Sequence, residues 1–336
     1  MVWLKFLLCV VIILFAGTKL ARYGDAIAEK TGLGRIWIGL VLMATVTTMP
    51  ELVTGVSSAA LVGLPDLALG TLLGSCLFNL TILALLDILH RPTPILSQVS
   101  SRHIASAGMG ILLIAIAAGS IFAGERFSGP TLGWVGITSI VIITVYLIGT
   151  WQMFRFERKH QLALPQAAPS QYHEIPTGTV YLRFTLAAIA VIAAGIWLSF
   201  VGDEIAETTG WSASFVGSLF LAITTSMPEL AVAVAALRLG AVDMAVADIL
   251  GANMLDMAII IWVDLFYTRG PILTMVSRVH FITAVVAVVM SLLVIVGLRF
   301  RQKRKTFIVF SWYTPVLIGL YIFGAYALFT AGIGLG

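Results

Sequence analysis

Charged side chains are scarce in this chain: Lys, Arg, Asp and Glu together make up 11% of its 336 residues, where a soluble domain carries about 25%. That scarcity, with 60% apolar residues and a mean hydropathy of +1.03, excludes an ordinary water-soluble fold. Only two cysteines occur, Cys9 and Cys76. Both fall inside apolar stretches, so no disulfide framework organises the chain. The five histidines, His90, His103, His160, His173 and His280, stand in or beside loops, where they offer no proton relay. No convincing nucleophile or metal triad is present, which argues against an intramembrane enzyme working through paired acids.

What the chain does have is apolar sequence in lengths that cross a bilayer. Ten runs each supply the roughly 20 apolar residues a helix needs to span hydrocarbon: 2–22, 33–60, 66–89, 102–124, 130–152, 179–200, 211–237, 242–266, 278–299 and 306–333. The expected fold is an all-α integral membrane protein of ten transmembrane helices. Lys5 ahead of the first run resembles the start of a signal peptide, but no small-residue cleavage site follows, so this run is expected to remain in the mature protein.

Basic residues divide unevenly between the two sides. With the N-terminus on one side, the loops after spans one, three, five, seven and nine lie on the other, which collects 16 of the 20 Lys and Arg residues. Lys5, Arg126, Arg269 and Arg278 are the remainder. By the positive-inside rule the richer side is cytoplasmic and both termini face out. The pI near 9.2 therefore reports membrane topology and not a nucleic-acid surface.

The chain repeats itself. Thr47 to Leu52 read TTMPEL, and 178 positions later Thr225 to Leu230 read TSMPEL. Gly24, Asp25, Ile27, Ala28, Glu29, Thr31 and Gly32 match Gly202, Asp203, Ile205, Ala206, Glu207, Thr209 and Gly210 at the same offset. At an offset of 177, Gly74 pairs with Gly251, Asn79 with Asp256, Asp87 with Asp264, and Pro94, Ile95, Leu96, Val99, Ser100 and His103 pair with Pro271, Ile272, Leu273, Val276, Ser277 and His280. Five spans per half is an odd number, so the halves enter the membrane from opposite sides. The result is an inverted-topology repeat, the plan of many secondary transporters with a site at the midplane. The expected division is a first five-span repeat at 1–152, with its motif region at 39–87, a polar cytoplasmic linker at 153–178, and a second repeat at 179–336 with its motif region at 217–264.

An acid beside a proline inside a span is costly. A carboxylate at the bilayer centre costs about 2.5 to 3.5 kcal/mol on insertion scales, and Pro50 and Pro228 each remove a backbone donor and release a carbonyl four residues earlier. Such segments are tolerated where they line a polar cavity between helices. The structural alternative for Glu51 and Glu229 is a buried ion pair, but no basic residue lies within either span core. Thr47, Thr48 and Glu51 around Pro50, and Thr225, Ser226 and Glu229 around Pro228, supply oxygen only, which suits hard cations such as Ca2+ or Na+ and disfavours zinc or copper. The hydroxyls have an alternative of their own, back-bonding to helix carbonyls. GSCLFN at 74–79 and GANMLD at 251–256 add Ser75 with Asn79 and Asn253 with Asp256, each pair sharing a helix face, while Gly70, Gly74 and Gly251 permit close helix contact. Asp25, Glu29, Asp203, Glu207, Asp87 and Asp264 are expected at membrane edges, solvated or paired with Lys19, Arg22 or Arg91.

At these residues the chain resembles the sodium/calcium exchanger superfamily, the calcium:cation antiporters, whose two alpha-repeats carry A-x-G-T-S-x-P-E and G-N-x-x-G-S-N-x-x-N/D. The resemblance covers nearly the whole chain. It implies that Glu51 and Glu229, with Thr47 and Thr225, bind Ca2+. It further implies that Ala44, Thr48, Ser75, Asn79, Ala222, Ser226 and Asp256 surround them as Na+ ligands, the alanines through their carbonyls. It also implies that spans one and six slide across the remaining bundle. Val46 and Thr224 replace the family's glycine, Ala252 replaces a serine, and Thr71 and Asp248 stand where the family has asparagine.

The function this implies is exchange of Na+ for Ca2+ across a bacterial or archaeal plasma membrane, with the lipid bilayer as partner, no cofactor, no nucleic acid and no obligate protein partner. Asp248, an acid in place of an amide, is a candidate for a coupling role, and with Ala252 it makes a Ca2+/H+ antiporter the nearest rival. A channel is a further alternative, against which the inverted repeat argues.

Overall fold

Proline sets where the apolar runs break. The structure is a computed structural model that describes the chain apart from residues 32–43, 91–92, 125–129, 162–174, 303, 308 and 333–336, and apart from the side chains of 28, 29, 31 and 156–161. Helix α1 (Val2–Thr31) is followed, after the first of those gaps, by the short α2 (Ala44–Thr47) and then α3 (Met49–Ser57), which runs into a π-helical turn at Ser58–Val62. Thr48 lies between α2 and α3 at φ −81, ψ 7, and Pro50 in the first turn of α3 leaves the carbonyl of Val46 without its helical donor.

Pro65 and Asp66 open α4 (Pro65–Leu89), with proline at a position where its missing N–H is no loss and the acid near the helix's positive end. The one-turn α5 (Ile95–Gln98), α6 (His103–Ala123), a minimal hairpin of β1 (Thr131–Leu132) with β2 (Val135–Gly136), and α7 (Ile137–Gln161) complete the first half. Helix α7 thus runs into the expected linker at 153–178, whose residues 162–174 lie outside the described ones.

The second half begins with α8 (Thr177–Thr209), which stops at Gly210 in the left-handed conformation (φ 72). That is the backbone state glycine adopts without strain at a helix end. Next come α9 (Ala213–Val216), a π-helical turn at Gly217–Leu221, α10 (Ala222–Thr225) and α11 (Met227–Arg238), with Ser226 at φ −87, ψ 10 between the last two. Helices α12 (Val242–Phe266), α13 (Ile272–Met275), α14 (Val279–Arg299) and α15 (Tyr313–Gly332) follow.

Among the described residues eight helices are long and apolar enough to cross a membrane, namely α1, α4, α6, α7, α8, α12, α14 and α15. The pair Ala213–Thr225 and Met227–Arg238, bent by 41°, makes a ninth. Of the second expected span only the part from Ala44 is described, as the shorter apolar helix Met49–Val62. Helices α1 and α8 run several residues past their expected ends at 22 and 200 and carry Asp25 and Asp203 on their extensions.

Helices α4 and α12 cross at the centre and are the most deeply buried spans, with α6, α14, α7 and α15 packed around them. Helices α1 and α8 lie along each other, α1 against α11 and α8 against α3. Trp3, Leu7 and Phe15 on α1, Leu147 and Trp151 on α7, and Ile322 and Phe323 on α15 are exposed. Such surfaces are at home against lipid, where every backbone group must be satisfied inside a helix.

Small residues set the closest approaches. A side chain at Gly74 would run into the backbone of Ser218, and one at Gly70 would meet the Ser214 carbonyl at 2.9 Å, so α4 sits directly on the π-helical turn of the second half. Gly17 of α1 faces the ring of Pro228, and Gly195 of α8 faces Val53 and Thr54. These two glycines stand 178 positions apart, so each long helix covers the proline-broken motif of the other half.

Two acids expected to be solvated or ion-paired are instead buried and hydrogen-bonded. Asp87 accepts from the Ile95 N–H at 3.0 Å, the Ser311 N–H at 2.8 Å, and the hydroxyls of Ser311, Tyr313 and Thr314 at 2.9, 2.7 and 2.8 Å. Its charged neighbour among the described residues is Lys305 at 3.9 Å, and not Lys19 or Arg22, while Arg91 lies outside the described residues. Asp264 accepts from Ile272 N–H at 2.7 Å, Gly136 N–H at 2.8 Å and the Ser139 hydroxyl at 2.6 Å. Burial of a carboxylate is sustained by donors of this number and geometry.

His103 and His280, expected in or beside loops, stand at the starts of α6 and α14 and are buried. Asp243 Oδ1 lies 3.0 Å from His103 Nε2 and accepts from Ser100 N–H at 2.6 Å. Asp66 Oδ1 lies 3.1 Å from His280 Nε2 and accepts from Ser277 N–H at 2.7 Å. Each acid belongs to one half and its partners to the other, so the halves are clasped twice by equivalent residues.

Candidate functional site

The two proline breaks place Glu51 in the first turn of α3 and Glu229 in the first turn of α11, and both are fully buried. Ser226 is set by its own break so that its hydroxyl donates to Glu51 Oε1 at 2.9 Å and lies 3.0 Å from Ser75 Oγ. Ser75 Oγ stands 3.5 Å from Glu51 Oε1 and 3.5 Å from Thr225 Oγ1. Residues from α3, α4 and the α10–α11 junction therefore meet around one carboxylate, and the first motif is completed by hydroxyls of the second.

The reverse contact is not made. Thr48, the repeat partner of Ser226, turns its hydroxyl back to the Ala44 carbonyl, as its β-branched side chain readily does in a helix. Both oxygens of Glu229 and Oε2 of Glu51 are buried with no hydrogen-bond partner among the described residues. Thr47 Oγ1 donates to Ala44 O at 3.2 Å and Thr225 Oγ1 to Ala222 O at 3.3 Å, so the hydroxyls and the alanine carbonyls form matching oxygen pairs in the two halves.

A second polar contact joins α4 to α12. Asn79 Nδ2 donates to Asp256 Oδ2 at 3.4 Å, and Asn253 Nδ2 donates to the Cys76 carbonyl at 3.3 Å. Asn79 Oδ1, Asn253 Oδ1 and Asp256 Oδ1 have no partner among the described residues. Each contact joins positions 177 apart, so they sit where the halves exchange places. The sequence reading singled out Asn79, Asn253 and Asp256 but missed Cys76, whose thiol also approaches Asp256 Oδ2 at 3.9 Å. The offset that pairs Cys76 with Asn253 was the available signal.

Asp248 is 4% exposed, and neither of its oxygens has a hydrogen-bond partner among the described residues. No group of three or more His, Cys, Asp or Glu side chains among the described residues could hold a metal ion by itself, so a cation here would draw most of its ligands from neutral oxygens.

A buried hydroxyl cluster between α3 and α8 was not found from the sequence. Ser57 Oγ lies 2.6 Å from Ser199 Oγ, Ser199 Oγ donates to Thr54 O at 3.1 Å, and Thr54 Oγ1 donates to Gly195 O at 3.4 Å. Its members are far apart in sequence and their repeat partners carry no hydroxyl.

The family model described as sodium/calcium exchanger protein matches residues 1–152 and 179–334. The inner membrane protein YrbG of Escherichia coli is 28% identical over 291 residues, covering 84% of this chain and 85% of that protein. The fold is like that of the sodium-calcium exchanger NCX_Mj in crystals soaked with Na+ and Sr2+, with a TM-score of 0.63 and 21% identity over 97% of this chain and 99% of that one. It is also like that of native YfkE, with a TM-score of 0.64 and 20% identity over 96% of this chain and 91% of that one.

Proposed function

Because the chain belongs to the sodium/calcium exchanger family, whose members are membrane cation exchangers and not enzymes, we propose that it is a secondary active antiporter exchanging Na+ for Ca2+ by alternating access. The observation that carries this reading is the meeting of Glu51 with Ser226 and Ser75 at the junction of both motifs, with Glu229 beside its own proline break and both acids buried. Glu51 and Glu229, with Thr47 and Thr225, hold Ca2+. Ala44, Thr48, Ser75, Asn79, Ala222, Ser226 and Asp256 provide the surrounding Na+ ligands, and Asp248 serves the coupling ion.

The mechanism follows from the cost of bare charge in a dry site. Buried carboxylates without a base must be compensated by bound cations before the site can change sides. Reorientation is therefore allowed when loaded and unfavourable when bare, which makes exchange obligatory. Helices α1 and α8 slide together over the rest of the bundle, pivoting on the contacts of Gly17 with Pro228 and Gly195 with Val53 and Thr54. If three Na+ move per Ca2+, one net charge crosses each cycle, coupling transport to potential at about 2.3 kcal/mol per 100 mV.

The two five-span halves, 1–152 and 179–336, are inverted repeats joined by a cytoplasmic linker at 153–178. Both termini face outward from a plasma (inner) membrane, in keeping with the excess of Lys and Arg on the linker side and with the inner-membrane relative. Asp248 and Ala252 favour one second reading, a Ca2+/H+ antiporter.

The test is 45Ca2+ uptake into proteoliposomes loaded with Na+, run in parallel with Na+ replaced by choline and with an imposed pH gradient. Uptake driven by the Na+ gradient alone is expected; uptake driven by the pH gradient without Na+ would replace this reading with the proton-coupled one.

A further inference from the structure

The two halves differ in charge at two buried places on α4 and α12, Asn79 against Asp256 and Thr71 against Asp248. In the first half Ser75 lies within reach of Glu51, and Thr71, one turn earlier on α4, closes its hydroxyl on the Leu67 carbonyl at 2.9 Å. At the offset of 177 the residue paired with Ser75 is Ala252, which has no side-chain oxygen, and the residue paired with Thr71 is Asp248. Residues four apart share a helix face, so the second half lacks an oxygen at one level of α12 and gains a carboxylate one turn, about 5.4 Å, away.

Besides the anchored Asp87 and Asp264, the buried acids Glu51, Glu229, Asp248 and Asp256 fall into two kinds. Glu51 and Asp256 each have one oxygen held by a donor, from Ser226 and from Asn79. Asp248 and Glu229 have none held on either oxygen among the described residues. Helices α11 and α12, which carry them, pack directly on each other. Two buried carboxylates whose four oxygens have neither a hydrogen-bond donor nor a basic partner among the described residues are costly unless a cation lies with them.

Resting on the antiporter reading above, we propose that Asp248 and Glu229 form a monovalent-cation site of Na+ type in the second half, displaced by one turn of α12 from the level at which Ser75 serves the first half. Asp248 stands in for the oxygen that Ala252 lacks and adds a full negative charge. The cation it holds is one of those exchanged for Ca2+, so removing the carboxylate removes one coupling ion from the cycle.

The experiment measures the Na+ dependence of 45Ca2+ flux and the reversal potential in proteoliposomes, for wild type, Asp248→Asn, Asp248→Glu and the double variant Asp248→Thr with Ala252→Ser, which rebuilds the first-half pattern. Asp248→Asn is expected to raise half-saturating Na+ by about tenfold, the scale of one lost interaction with a charged group, and to lower the number of Na+ per Ca2+ by one. Its Na+-free apparent Ca2+ affinity should shift far less. Asp248→Glu should keep the wild-type coupling, and the double variant should recover Na+ dependence, so the test stands even if Asp248→Asn fails to fold. Wild-type Na+ dependence and reversal potential in Asp248→Asn would overturn the proposal, as would a change confined to the pH profile or a double variant that recovers nothing. Absence of Na+-driven flux in the wild type would instead remove the parent reading, and that is read without any variant.

Discussion

Ser226, at the proline break of the second motif, donates to Glu51, at the proline break of the first, across 2.9 Å. The two residues are 175 positions apart in sequence, and neither half alone could complete the environment of the acid. The bond is also one-sided, because Thr48, which would return it to Glu229, is closed on its own helix. One carboxylate is held by protein donors, and the other has no hydrogen-bond partner on either oxygen among the described residues.

Replacing either central acid should end transport. Glu51→Gln and Glu229→Gln each remove a charge that a cation must neutralise, and 45Ca2+ uptake should fall to the level of protein-free liposomes while membrane insertion and detergent elution profiles stay unchanged. Near-normal uptake in either variant would remove that acid from the site.

The one-sided bond predicts unequal effects for equivalent residues. Ser226→Ala deletes a hydrogen bond to a charged group, of about 1.5–3 kcal/mol, and should weaken cation affinity by about tenfold or more. Thr48→Ala loses only a bond to its own helix and should change affinity less, as ion-dependent flux titrations would reveal. Equal losses would mean that both hydroxyls serve the ion alike.

Packing at the two sliding helices is tight enough to test by enlargement. Gly17→Leu and Gly195→Leu place atoms against Pro228 and against Val53 and Thr54. Overpacking of this kind costs about 1–3 kcal/mol. Both variants should lower the thermal midpoint in detergent and slow exchange, with a greater effect on turnover than on ion affinity.

Asp87 should behave as a structural anchor. Asp87→Ala leaves the Ile95 and Ser311 N–H groups and three buried hydroxyls without their acceptor, and each orphaned group costs about 1–3 kcal/mol. A clear drop in thermal midpoint is expected, while the Na+ dependence of the remaining flux stays that of wild type. A changed Na+ dependence would mean that Asp87 acts on the ion.

The sequence by itself determined the class of molecule and singled out the polar residues of its centre. Scarce charge and long apolar runs require a helical membrane protein, since only helices satisfy their own backbone in hydrocarbon. Two acids beside two prolines at a fixed offset mark Glu51 and Glu229, because nothing else justifies their cost there. The family motifs then named Ser75, Asn79, Ser226 and Asp256, and the structure brings Ser75 and Ser226 to Glu51 and Asn79 to Asp256.

Tertiary structure alone decided which oxygens are held and which are free. Whether a hydroxyl reaches across to an acid or back to its own helix depends on a rotamer and on the approach of a neighbouring helix, and Ser226 and Thr48 part company on that point. The same holds for Asp87 and Asp264. Position near a span end suggested solvation, yet segments from distant sequence, at 311–314 and 136–139 where α15 and α7 begin, fold over them with donors. Periodicity and composition carry information about a chain's own helices, whereas the partners of a buried polar group are fixed by the packing of residues that sequence distance keeps apart.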